Sequence, residues 1–160
     1  MTTSNANTSV AIRLATPADR DFLHRLASRL ADFDRPAWRS ADEIADGDRR
    51  ALDDALDDPQ AATELFVAEL AGERAGCLLM WTLEDYFSQD WHAHISVIAV
   101  TRDAEGQGVG RALMEHAESW ARGRGHRSIT LSVFDGNHRA RTLYERVGFS
   151  TEMRRMTKRL

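Results

Sequence analysis

The 160-residue chain holds a single cysteine, Cys77, so it forms no intramolecular disulfide and is a poor candidate for a zinc cluster. A lone thiol suits a reducing compartment, and a cytoplasmic setting is expected. No run of about 18 apolar residues occurs, which argues against a helical membrane span. The opening MTTSNANTS lacks the basic and apolar regions of a secretory leader and reads as a frayed tail over residues 1–9. Neither an internal repeat nor a linker follows it. Positive charge is not in excess: the net charge is −4, which argues against a nucleic-acid partner. Apolar residues make up 42% and charged residues 29%, the composition of a folded globular chain, expected as one domain over 10–160.

The charge that is present is unevenly placed. Residues 32–58 carry ten acids against four arginines, and residues 139–159 carry seven bases against two acids. Most of these are expected to be solvated helix faces.

Hydrophobic spacing and punctuation divide the chain. VAIRL (10–14) alternates as a strand. Thr16-Pro17-Ala18-Asp19 reads as a helix start, and Phe22, Leu23, Leu26, Leu30 and Phe33 extend the helix over 17–33. Ser40-Ala41-Asp42-Glu43 is a capping box opening a helix over 41–57. ELFVAEL (64–70) and AGCLLMWTL (75–83) form a hairpin, followed by a polar loop over 84–92. HISVIAV (94–100) is apolar at nearly every position and is expected to be buried on both faces. A helix over 108–122 ends at Gly123 and Gly125. SITLSVF (128–134) is a strand. Ala140, Leu143, Tyr144 and Val147 mark a short helix stopped by Gly148, with Leu143 and Val147 on its core face. One or two strands close the chain. The order β-α-α-β-β-β-α-β-α-β(-β) predicts an α/β domain with a mixed sheet and helices on both faces.

The stretch EGQGVGRAL (105–113) places three alternating glycines at a helix mouth. Such a terminus has unpaired N–H groups and partial positive charge, and glycines let an anion come close. The P-loop pattern fails because no lysine follows the glycines. The dinucleotide fingerprint fails because Arg111 and Leu113 stand where its third glycine belongs.

A third pattern fits. VIAVTRDAEGQGVGRALMEHAESWA resembles motif A of the GNAT superfamily of acetyl-CoA-dependent N-acetyltransferases, and NHRARTLYERVGF (137–149) resembles the helix that follows it in that family. RLATPAD is similar to the family's opening strand and helix. The resemblance implies a GNAT-like, mostly antiparallel sheet and acetyl-CoA as cosubstrate, with no metal. It implies that backbone N–H groups across Gly106, Gln107, Gly108, Val109, Gly110 and Arg111 cradle the coenzyme pyrophosphate, behind Glu105 at the head of the motif. The edge of Ile98, Ala99 and Val100 would pair with the pantetheine arm, and the Ile98 N–H would polarise the thioester carbonyl. Asn137 would hydrogen-bond the arm. Tyr144 would protonate the leaving thiolate.

Two positions depart from the pattern. Glu105 stands where the family has Gln or Arg, and its charge opposes a phosphate; Arg111 is the expected counterweight. The family's basic Glu is replaced by His94 in one branch alignment and by Ser96 in another, both on one strand face, with His92 and Glu84 as loop alternatives. Histidine titrates near neutrality and suits a base. Cys77, mid-strand in an apolar run, is expected in the core. Trp38, Trp81, Tyr86 and Trp91 are candidates for an acceptor pocket, with core packing also open for Trp81.

The function expected is therefore acetyl transfer to a primary amine by direct attack, with a small cationic amine favoured by the acids of 32–58. A protein N-terminus or lysine is the alternative acceptor. A non-catalytic acyl-CoA-binding module and a nucleotide-binding regulator remain as rivals, and a homodimer is left open.

Overall fold

Alternation puts VAIRL at a sheet edge, where β1 (Val10–Leu14) pairs antiparallel with β2 (Thr63–Leu70). This computed structural model describes residues 9–60 and 62–160; the expected tail, apart from Ser9, lies outside the described residues. β2 turns at Ala71-Gly72, with φ of 53° and 81°, into β3 (Glu73–Glu84). Two consecutive positive φ values are what a two-residue hairpin turn requires. β3 pairs antiparallel with β4 (Trp91–Val100), and β4 pairs parallel with β5 (Ile129–Leu131). The sheet order is β1-β2-β3-β4-β5, mostly antiparallel with one parallel pair.

Helices cover both faces. On one, α1 (Arg20–Ala27) and α2 (Ala41–Asp57) bury Phe22, Leu23, Leu26 and Leu52 against Leu65, Val67, Cys77, Leu79, Val97 and Ala99. On the other, α3 (Val109–Gly123) buries Val109, Leu113, Ala117 and Trp120 against Phe66, Leu78, Met80 and Ile95. Gly76 lets β3 run under α3: a Cβ there would lie 2.7 Å from the Ala99 carbonyl oxygen and 3.3 Å from Val109. α4 (His138–Arg146) lies against the α3 side through Tyr144 and the following Phe149.

Several expectations are corrected. The single helix over 17–33 is a 3₁₀ turn (Pro17–Asp19), then α1, then a second 3₁₀ turn (Ser28–Ala31). At the change Ser28 Oγ donates to the His24 carbonyl at 3.3 Å, a bond that competes with the helical ladder. Phe33 lies beyond it and packs on Phe134, ring centroids 5.0 Å apart. The capping box at Ser40 is half made: Ser40 Oγ accepts from the Glu43 N–H at 3.0 Å, but the Glu43 carboxylate pairs with Arg39 at 2.7 Å. β4 starts at Trp91 and alternates buried Ala93, Ile95, Val97 and Ala99 with half-buried neighbours, rather than being buried throughout. β5 covers three residues of the seven expected, and residues 149–160 form no strand. With none of the described residues laid over that side of α4, Leu143 and Val147 are exposed, and the helix faces the core with Tyr144 instead.

Both glycine stops work through the same geometry. Gly148 has φ of 99°, its N–H donates to the Glu145 carbonyl at 3.2 Å, and the Phe149 N–H donates to Tyr144 at 3.0 Å. This is a Schellman end, and the Tyr144 and Phe149 rings supply its usual apolar contact, centroids 6.0 Å apart. At the end of α3 the left-handed residue is Gly125, and Gly123 is still helical.

One buried charge fastens this frame. Asp19 is fully buried and accepts from Arg13 at 2.8 and 3.0 Å and from Arg74 at 2.7 Å, while Arg13 also holds Glu69 at 2.7 Å. The start of α1 is thereby tied to β1, β2 and β3.

Candidate active site

The site is built on a fork in the sheet. β4 and β5 pair only through Ala93–Ile129, His94–Thr130 and Ile95–Leu131. Leu79 then faces Val97 while Met80 faces Ile95, so Ser96 is the extra residue of a bulge. Before the bulge the Ala93 N–H points to the β5 side, donating to Ser128 at 3.1 Å. After it the Thr101 N–H points to β3, donating to Ala75 at 2.8 Å. Alternation along the strand therefore turns the N–H groups of Ile98 and Val100 to the edge that β5 has left. The two-residue period breaks at the bulge: Ile95 packs on the α3 side and Val97 on the α1–α2 side.

Downstream of this edge the chain makes the glycine turn. Gly106 and Gly108 have φ of 74° and 86°, a region that disfavours L side chains, and a Cβ at either would meet nothing within 4 Å. Gly108 caps α3, whose ladder starts with Ala112 N–H donating to the Gly108 carbonyl at 3.0 Å. The N–H groups of Val109, Gly110 and Arg111 precede that ladder. Turn and edge adjoin at Gly110, where a Cβ would lie in ordinary contact with Val100, 3.7 Å from its Cγ2.

Glu105 is not balanced by Arg111, which pairs with Glu115 at 2.8 Å. It is held instead by Arg29 and Arg139, each at 2.8 Å. The two guanidiniums, Arg139 foremost, hold its carboxyl down to about 2. Arg29 also donates to the Val100 carbonyl at 2.5 Å, on the open edge. No sequence signal marks Arg29, because 76 residues separate it from Glu105. Packing brings the surrounding loops together: a Cβ on Gly136 would lie 2.1 Å from the Asp34 carbonyl oxygen.

His94 lies at the fork itself. Its Nδ1 is 2.8 Å from the Thr130 hydroxyl, and its ring stacks on Trp81 with centroids 6.0 Å apart. Burial, then the nearby His92, pushes its pKa below 6.5. Glu84 ends β3 opposite Trp91, three register pairs from His94, and His92 is two pairs along the same ladder. Tyr144 packs with the α3-side cluster, and burial raises its hydroxyl above 10. Ile98 and Val100 pack on that same cluster. Asn137 caps α4, its Oδ1 accepting from the Ala140 N–H at 3.3 Å. Trp81 belongs to the α1–α2 side, so the His94 ring stacked on it and the Tyr144 ring pack on opposite faces of the sheet.

Beside Trp81, α2 leaves an open cavity of about 360 Å³ against β2 and β3, lined by Arg50, Asp54, Asp58, Gln60 and Thr63 among others. Trp38, Tyr86 and Trp91 are exposed and do not line it. Many acids of 32–58 are engaged: Asp53 and Asp57 pair with Arg20, Asp46 with Arg49 and Glu43 with Arg39. Asp48 is half-buried on the inward face of α2, between Ala45 and Leu52, and burial raises it to about 6. Cys77 is core, its thiol pushed up to about 12 by burial and by Asp48. Among the described residues no cluster of His, Cys, Asp and Glu could hold a metal, and no helix is long and apolar enough to cross a membrane.

Residues 26–149 match the sequence model of the acetyltransferase (GNAT) family. The chain belongs to that family. This acetyltransferase is therefore an acyltransferase. It is similar to the 5-NmdU N-acetyltransferase of Pseudomonas phage PaMx11, 42% identical over 53 residues; the match spans 33% of this chain and about a third (36%) of that protein. A putative acetyl transferase from Pyrococcus furiosus superposes with a TM-score of 0.75 at 25% identity, covering 95% of this chain and 100% of that one. An aminoglycoside N-acetyltransferase in complex with CoA shares the fold, with a TM-score of 0.69 at 16% identity over 95% of each chain.

Proposed function

We propose that this acetyltransferase carries the acetyl group of acetyl-CoA to a primary amine by direct attack, with a small cationic amine as acceptor. The observation that carries the reading is the meeting of a β4 edge that β5 leaves free of strand pairing at Ile98–Val100 with a glycine turn whose N–H groups precede α3. The residues fit the coenzyme: an extended edge suits a pantetheine arm laid along it, and the open, left-handed glycines admit a pyrophosphate against backbone. Gly106 to Arg111 would hold the pyrophosphate, and Ile98, Ala99 and Val100 the arm.

Acetyl-CoA supplies the activated acyl group as a thioester. The Ile98 N–H, fixed in the sheet and aimed at the edge, donates to the carbonyl oxygen as negative charge gathers there. His94, neutral at pH 7 with Nδ1 facing Thr130, keeps Nε2 to take the amine proton. Tyr144, still protonated at pH 7, offers its hydroxyl to the departing thiolate from the other face. No covalent enzyme intermediate is needed, in keeping with the burial and raised pKa of Cys77. A cationic acceptor is supported by Trp81, Asp54 and Asp58, which with Arg50 line the cavity whose Trp81 wall stacks on His94.

The test is thiol release from acetyl-CoA with a panel of amines, read alongside the mass of the product. A gain of one acetyl group on a small cationic amine supports the reading. Hydrolysis alone, or binding without turnover on every amine, contradicts it.

A further inference from the structure

Three contacts run as a chain across the mouth of the proposed coenzyme cleft. The Val100 carbonyl, on the open edge of β4, accepts from Arg29 Nη1 at 2.5 Å. Arg29 Nη2 reaches Glu105 Oε1 at 2.8 Å, and Glu105 Oε2 is taken by Arg139 Nη2 at 2.8 Å in the first turn of α4. The bridge therefore spans from the strand edge, over the head of the glycine turn, to the helix that carries Asn137 and Tyr144. Its members are not equivalent. The Arg29 and Glu105 side chains are 31% and 33% exposed, whereas Arg139 is 80% exposed and, among the described residues, held by this one ion pair alone. Two cations flank one anion, so the group carries one net positive charge.

We propose that Arg29–Glu105–Arg139 is a latch, in which the Glu105 carboxylate stands in for a phosphate and Arg139 leaves it for a phosphate group of the coenzyme. This rests on the acetyl-CoA reading above. A carboxylate at the head of a phosphate-binding turn would otherwise only repel its ligand. Held between two arginines it does something else: it keeps both guanidiniums at the turn and occupies them until a better anion arrives. A phosphate has more acceptor oxygens and more charge than a carboxylate, so the exchange favours it. Arg29, anchored to Val100 as well as Glu105, stays in place. Arg139 has no second anchor among the described residues and is the arm that moves.

A latch that competes with its ligand makes a prediction opposite in sign to a structural ion pair. Glu105→Gln removes the competing charge and frees Arg139, so acetyl-CoA should bind about threefold tighter, the size expected for releasing an exposed pair. Arg139→Gln should weaken binding about 10-fold, by loss of a charge-assisted contact. The double variant should bind as weakly as Arg139→Gln, because Glu105 acts through Arg139. KM for acetyl-CoA should follow these changes while kcat stays near wild type. Calorimetric titration with acetyl-CoA, with melting curves to verify folding, reads the affinities without turnover. Weaker binding by folded Glu105→Gln, or unchanged binding by Arg139→Gln, overturns the latch and leaves the coenzyme reading intact. Failure of the wild-type protein to bind acetyl-CoA at all overturns both.

Discussion

His94 Nδ1 lies 2.8 Å from the Thr130 hydroxyl, across the parallel pair of β4 and β5 and one register step before the strands separate. The contact fixes the ring where the sheet opens and leaves Nε2 for chemistry. His94→Ala should therefore lower kcat/KM by roughly 10²–10⁴ with little change in acetyl-CoA affinity. Because burial and His92 lower the His94 pKa, the acid limb of kcat/KM that His94 sets should have its midpoint below pH 6.5. Thr130→Val should lower kcat and leave acetyl-CoA binding unchanged. Near-normal turnover by folded His94→Ala across pH 6–9 would move the proton to His92, Ser96, Glu84 or water.

Tyr144 carries a half-buried ring and a hydroxyl raised above 10, so it remains a proton donor through the working range. Tyr144→Phe keeps the ring that packs on Phe149 and removes the proton. A fall in kcat of about 10-fold is expected, with melting temperature and acetyl-CoA affinity barely changed. A kcat within about twofold of wild type, under conditions where thiolate release limits the rate, would assign Tyr144 to packing.

The Asp19 carboxylate is buried among Arg13, Arg74 and the Thr16 N–H, and its pKa lies well below 3.8, chiefly through Arg13. Asp19→Ala leaves two guanidiniums facing a buried gap and should destabilise the fold by about 3–5 kcal/mol, read by urea unfolding. A pKa depressed in the folded state adds stability that is present above the unfolded value near 3.8 and lost as pH falls through the lower folded one. Wild type should thus lose more stability than Asp19→Ala as pH falls below 4. Equal losses would assign the acid sensitivity to other carboxylates.

Many of the acids in 32–58 are paired with arginines, which leaves less free negative charge than the sequence suggests. The cation preference should therefore depend on the cavity beside α2. Trp81→Leu should raise KM for a cationic amine several-fold while KM for acetyl-CoA holds. Equal effects on both substrates would point to damage at the fork through His94.

Local backbone demands are legible in the sequence. Gly106 and Gly108 announce left-handed turns, and Gly148-Phe149 announces a helix stop whose apolar contact is Tyr144–Phe149. What stays hidden depends on residues far apart or on pairing register. Arg29 meets Glu105 across 76 positions, and nothing near either residue marks it. Ser96 becomes a bulge because β4 must shift against β3, which no composition records. Periodicity on α4 favours Leu143 and Val147 as the core face, but without strands over 149–160 only Tyr144 turns inward.

The central claim is that coenzyme phosphate sits on the turn at Gly106–Arg111, and Gly108→Asp tests it most directly. Gly108 has φ of 86° and open space around its missing Cβ, and aspartate tolerates that region better than most residues, so the variant should fold. It places a carboxylate where phosphate must approach. Calorimetric titration with acetyl-CoA should show binding by the wild-type protein and a loss of about 10-fold or more in the folded variant. Equal affinities for the two proteins would contradict the account.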